Sequence, residues 1–253
     1  MARTSGSVVR MRITIGISLL VAAGSAWADR RTLIRAYEFQ TQPKGNLEFE
    51  LWNDVEAPRS SIESSTILHR LELEYGLTDR WDVALYHVFA HGGDRANPEP
   101  FHFDSWRLET RYRLAEKGEW PIDVMIYGEI ERPGNFAEPF VTEEKLILER
   151  DLMPRLALIA NVAAEQHLLR ADLGRAFELD LGARYELMPQ LRVGAEFWTT
   201  WDYVGDRVTR NYYAGPAISV ATNKLWLQVG TGIGLDPGQD QQLFIRSVLG
   251  FNL

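Results

Sequence analysis

The sequence predicts an all-β fold: an antiparallel up-and-down barrel of about twelve strands, closed between a strand at 46–53 and the C-terminal strand at 242–253. Three observations predict it. The stretch 242–253 alternates, with Leu243, Ile245, Leu249, Phe251 and Leu253 on one face and Ser247 the one gap. Gln242, Phe244, Arg246, Val248, Gly250 and Asn252 take the other face, which is strand period. A strand in that position needs a partner, and a closed barrel supplies the first strand. Turns at Lys44, Asp79, Lys117, Pro154, Pro189 and Asn223 recur at a hairpin period, three of them in related wording (GLTDRW, DLMPRL, ELMPQL). Finally, no Pro/Ser-rich linker or charge block divides the chain after its first 28 residues, so one all-β domain suffices.

The elements follow in order. Residues 29–45 are read as an N-terminal periplasmic segment. The weak alternation of Tyr37, Phe39 and Thr41 leaves a short extra strand over 34–42 open. Pro43-Lys44-Gly45 turns the chain. At 46–53, Leu47, Phe49 and Leu51 oppose Glu48, Glu50 and Trp52; at 65–77, Ile67, Leu71, Leu73 and Tyr75 oppose Arg70, Glu72 and Glu74. At 81–89, Trp81, Val83 and Leu85 oppose Asp82, Ala84 and Tyr86, and 91–100 reads as a Gly/Pro-rich loop. The alternation is clearest at 103–114, where Trp106, Leu108, Tyr112 and Leu114 face away from Arg107, Glu109, Arg111 and Arg113. Strands at 120–131, 140–152, 156–167, 177–187, 191–203, 211–221 and 225–235 repeat the pattern. The turns are short, and the connections between them are mostly longer and more polar.

Arg3, Arg10 and Arg12 precede a short apolar run, 13–26, and Ala26-Trp27-Ala28 has the small-x-small form of a cleavage site. This pattern predicts a signal peptide over 1–28 with cleavage after Ala28, and export. The run is too short for a spanning helix, which needs about twenty apolar residues. With no Cys, the chain can carry neither a disulfide nor a thiolate metal site. Cleavage removes three of 27 basic residues and no acid, leaving 24 against 35 and a net charge of −11. Such a protein is a poor candidate for nucleic-acid binding.

Alternation alone also fits a soluble barrel with its apolar face inward. Three features favour lipid outside. Trp81, Trp106, Trp120, Tyr75, Tyr112 and Tyr185 lie near strand ends on the apolar face, as aromatic girdles do. The opposite face is dense in both signs of charge. Twelve such strands enclose more space than one apolar core fills. The signal peptide, the hairpin repeat and the terminal Leu249-x-Phe251-x-Leu253 together resemble Gram-negative outer-membrane β-barrel proteins, including small porin-like barrels. The resemblance implies outer-membrane lipid as surroundings. It also implies recognition of Leu249, Phe251 and Leu253 by the barrel assembly machinery; Leu253 stands where Phe is commoner.

The face opposite the apolar one then lines a lumen. Its candidate pore-lining residues are Glu48, Glu50, Arg70, Glu72, Glu74, Arg107, Glu109, Arg111, Arg113, Asp123, Glu129, Glu149, Glu178, Asp180, Arg184, Glu196 and Arg246. Acids predominate, so the expectation is a small passive channel for cationic or neutral solutes. The competing expectation is a closed barrel with a structural or surface-binding role, locked by Arg–carboxylate networks. No long segment suggests a constriction folded into the lumen. An enzyme is the third reading and is not expected: there is no GxSxG motif. His87, His91 and His102, with Asp94 and Glu99, flank one loop as a conceivable rim metal or acid–base site, but solvated loop residues explain them as well. No metal, cofactor or catalytic residue is assigned, and oligomeric state is left open.

Overall fold

The computed structural model describes residues 30–58, 64–93, 97–168, 170, 173–239 and 241–253. The expected signal peptide lies outside the described residues. Twelve strands are formed among them: β1 (Leu47–Pro58), β2 (Thr66–Thr78), β3 (Trp81–Gly93), β4 (Pro98–Arg113), β5 (Asp123–Pro133), β6 (Val141–Met153), β7 (Leu156–His167), β8 (Arg175–Met188), β9 (Leu191–Val204), β10 (Arg207–Ala221), β11 (Leu225–Gly234) and β12 (Gln241–Asn252). Each pairs antiparallel with its neighbours in sequence, and β1 pairs with β12 to close the barrel.

The register carries the side-chain period around the wall. Leu71, Leu51, Leu249 and Leu227 are successive cross-strand partners and form one outward row. Arg70, Trp52, Val248 and Gln228 form the adjoining inward row. The apolar face is the exposed one: Leu108 is 47% exposed and Leu249 42%, whereas Arg111 is 2% exposed and Glu72 fully buried. Trp81, Tyr75, Tyr112, Trp120 and Tyr185 ring the outer surface at the short-turn end, and Phe101, Phe103 and Phe177 at the other. An apolar band between aromatic belts is the outer surface of a membrane barrel.

Several strands run further than their alternation predicts. The segment 91–100, expected as a loop, is largely ladder: Gly92 pairs with Glu99 and Gly93 with Pro98, Gly93 taking φ +79°. β10 likewise begins at Arg207, paired with Val204. Backbone pairing continues past the apolar band, where no alternation marks it. β5 starts later than expected, at Asp123, because Pro121 has no N–H to give a ladder.

The larger correction concerns residues 30–45. They form neither a periplasmic arm nor a thirteenth strand. Arg30 donates to the Pro189 carbonyl at the short-turn mouth (3.2 Å). The chain then climbs into the barrel as far as Arg35, which pairs with Glu178 on β8. It descends to Gln42, whose N–H donates to Asp82 near the foot of β3 (2.8 Å). At the exit, an ideal Cβ on Gly76 would stand 2.0 Å from the Pro43 carbonyl oxygen, so only glycine lets the chain pass into β1.

Candidate functional site

A segment inside a barrel must satisfy its backbone without neighbouring strands. Here side chains do that work. The Glu196 carboxylate accepts from three consecutive N–H groups, those of Ile34, Arg35 (2.9 Å) and Ala36 (3.0 Å). Asn161 binds both backbone groups of Tyr37. Glu149 accepts from the Phe39 N–H (2.9 Å). Glu38 folds back to accept from Thr32 (2.6 Å) and Leu33 (3.2 Å), and its carboxylate also pairs with Arg184. The Ile34 carbonyl accepts from Arg246, and that of Thr32 from Gln228 (3.3 Å). Charge-assisted hydrogen bonds of this kind are about twice as strong as neutral ones.

The segment's apolar side chains enter pockets in the wall. Leu33 and Ala36 pack with Ala157 and Ile159; Ile34 with Trp198, Tyr213, Ala217 and Phe244; Phe39 with Met125, Tyr127 and Ile147. Inward glycines make the room. An ideal Cβ on Gly182 or Gly194 would lie 2.4 Å from a Leu33 methyl, and one on Gly230 2.5 Å from Ile34. A further interior cluster, built on Trp52, Tyr86, Trp226 and Val248, takes no apolar residue from the segment, whose Arg31 instead lies over the Trp52 ring (4.8 Å to its centroid).

Every predicted pore-lining residue faces inward, but most are committed to partners. Glu50 and Glu72 accept from the Trp52 indole (2.7 and 2.8 Å), and Glu48 from that of Trp226 (2.8 Å). Arg111 bridges Asp82 (2.8 Å) and Glu74. Glu109 accepts from Tyr86 (2.6 Å). Arg246 grips Asp54 with two nitrogens (2.6 and 2.7 Å), and Arg70 joins them (2.7 Å). Arg107 pairs with Glu129 (3.2 Å) and Glu131 (2.8 Å). Asp180 is buried on β8. Arg113 and Asp123 sit at the short-turn mouth, bound to the Asp79 carbonyl and the Gly118 N–H.

On the loop side of the segment, a cavity of about 60 Å³ remains. Arg35, Arg70, Arg107, Lys145 and Arg246 line it, with Glu129 and Glu143 and the rings of Tyr37, Trp52, Tyr86 and Tyr127. The acidic excess expected along the whole lumen therefore lies mainly around and below the segment. The space left over carries more cations than carboxylates.

The sequence reading missed the seat of the segment in the lumen and the place of Asp54 on β1. One signal was present: Arg30, Arg31 and Arg35 cluster in an otherwise acidic mature chain, and the segment carries that charge into the acidic lumen. At the rim, His91 stacks on His69 (ring centroids 5.2 Å apart, Nε2 atoms 3.1 Å apart) rather than meeting His87 and His102. Among the described residues no group of three or more ligating side chains converges; Asp94 lies outside them.

No family model matches the sequence, and no curated protein matches it. Solved structures do. An outer membrane channel from Pseudomonas putida F1 aligns with TM-score 0.64 at 14% identity, covering 87% of this chain and all of that one. The NanC porin aligns at 0.58 and 11%, covering 81% of this chain and all of that one. The KdgM porin, also solved in complex with disordered oligogalacturonate, aligns at 0.58 and 8%, covering 81% and 99%. At these identities the likeness is one of architecture: the chain has the closed antiparallel barrel fold of outer-membrane porins.

Proposed function

We propose that the protein is a porin-like channel of the Gram-negative outer membrane whose lumen is stoppered by its own residues 30–42. Export by the signal peptide and assembly through the C-terminal strand belong to this reading, as do the aromatic belts and apolar band. No catalytic role is assigned. The observation that carries it is the seat of the segment. Its backbone hangs from wall side chains by polar bonds, and two of its apolar residues, Leu33 and Ile34, fill glycine-walled pockets. That attachment is specific, yet it can be undone without unpairing a strand. Passage then requires the segment to move, which replaces the passive pore expected from the sequence with a gated one.

For the solute, the cavity's lining favours anions over the cationic solutes suggested by overall charge. KdgM's complex with oligogalacturonate is in keeping with that preference. The same seat supports a second reading, a permanently closed barrel with a structural role. Planar-bilayer recording separates the two. A gated channel shows rare openings in the native protein, frequent ones in Glu196→Gln, and a steady anion-selective current after deletion of residues 30–41. Silence from a well-folded deletion variant leaves the closed barrel standing.

A further inference from the structure

The outer wall is not uniformly convex. Across β6–β9, near the short-turn end, lies an open recess of about 660 Å³. Two cross-strand rows build it. In one, Arg150, Leu158, Ala183 and Ala195 are successive partners; in the next, Leu148, Ala160, Leu181 and Phe197 are. The alanines set the floor and the larger side chains the sides. Elsewhere the same face carries Leu, Ile, Val or an aromatic at most positions.

Arg150 is the exception that gives the recess a chemistry. It lies on the lipid-facing side of β6, three residues before Met153, and is exposed. Among the described residues it has no hydrogen bond or ion pair. A guanidinium on a lipid-facing wall is costly unless it reaches the interface and finds an anion there. From this depth its long stem reaches headgroup level, and a phosphate is the anion that the fork of a guanidinium fits.

We propose that the recess seats one glycerophospholipid, an acyl chain lying over Ala160, Ala183 and Ala195 while Arg150 holds the phosphate. Apolar burial and a single cation on one face match the two halves of such a lipid and match no soluble solute. A second copy of the chain offers no such match, because an isologous contact there sets Arg150 near its own symmetry mate.

The inference rests on the membrane placement proposed above, and the test keeps the two apart. The full mature protein is reconstituted into liposomes, extracted in mild detergent and examined by native mass spectrometry while dioleoyl phosphatidylglycerol is added. Dioleoylglycerol, which lacks the phosphate, is the control. One retained phosphatidylglycerol per barrel is expected, with retention at least tenfold weaker for dioleoylglycerol. Arg150→Gln should weaken retention tenfold or more and Arg150→Lys much less. Ala183→Leu with Ala195→Leu should abolish it while the barrel keeps its heat-modifiable migration. Equal retention of both lipids, unchanged retention in the Gln and double-Leu variants, or a dimer mass in place of the adduct would overturn the proposal. A barrel that fails to enter liposomes overturns the membrane placement instead.

Discussion

Asn161 holds Tyr37 by both of its backbone groups. The side-chain oxygen accepts from the Tyr37 N–H at 2.6 Å, and the side-chain nitrogen donates to the Tyr37 carbonyl at 3.0 Å. A single amide on β7 thus stands in for the neighbouring strand that an inserted segment lacks. Asn161→Leu keeps the branched shape and removes both bonds, leaving two backbone groups without partners at a cost of about 1–3 kcal/mol each. The expected result is a segment that leaves the lumen more often. Trypsin cleavage after Arg30, Arg31 or Arg35 in folded, detergent-solubilised protein should accelerate, while barrel migration on unheated gels stays unchanged.

The fit of Leu33 against Gly182 and Gly194 gives a sharper test, because it is reciprocal. Gly182→Val places atoms where the Leu33 side chain now lies, and Leu33→Ala on its own empties a buried site at about 2–5 kcal/mol. Each single variant should loosen the segment in the protease assay. The double variant should recover part of the loss, since each change relieves the other, and a coupling near zero would mean that the two residues do not meet.

Arg246 and Asp54 form a two-nitrogen ion pair across the β1–β12 closure, and Arg246 also reaches the Ile34 carbonyl. Arg246→Ala would leave Asp54, 1% exposed, with Arg70 as its remaining charged partner. Breaking a buried pair from one side costs about 3–5 kcal/mol. The urea midpoint of the detergent-folded barrel should fall accordingly. Asp54→Asn with Arg246→Met and Arg70→Met should cost less than the single change, because all three members of the buried network go together and no charge is stranded.

The closing strand carries a prediction about assembly. Leu249 and Phe251 pair with Leu51 and Phe49 on one side and with Leu227 and Leu225 on the other. Removing residues 249–253 takes away both ladders at the short-turn end. The truncated chain should reach the membrane fraction at a small share of the native level, whereas Leu253→Phe should match or exceed it. Heat-modifiable protein in outer-membrane fractions is the readout.

Much of this molecule was legible in its residues. Alternation at positions such as Leu108–Glu109–Thr110–Arg111 sets which side of the wall each side chain takes, because a strand has a period of two and lipid admits only one of the faces. The even strand count and the β1–β12 closure follow from hairpin spacing and the unpaired edges it would otherwise leave. The inward orientation of the seventeen residues expected to line a pore follows in the same way. Local patterning also failed where it had no reason to persist: at Gly92–Gly93 and Arg207, the ladder outlasts the apolar band that imposes the period.

Residues 30–42 are a different case. Their side chains carry no more than a weak alternation, and beyond the local bonds to Glu38 their backbone groups go to Glu196, Asn161, Glu149 and Asp82, at least 40 positions away in the chain. No local pattern encodes such partners. Charges that read as the lining of a water-filled passage turn out to be hydrogen-bond acceptors for a segment drawn from the same chain. Composition and alternation determine a barrel and the orientation of its wall. What fills that barrel is decided only when strands distant in sequence converge on one volume and the N-terminal segment competes with water for it.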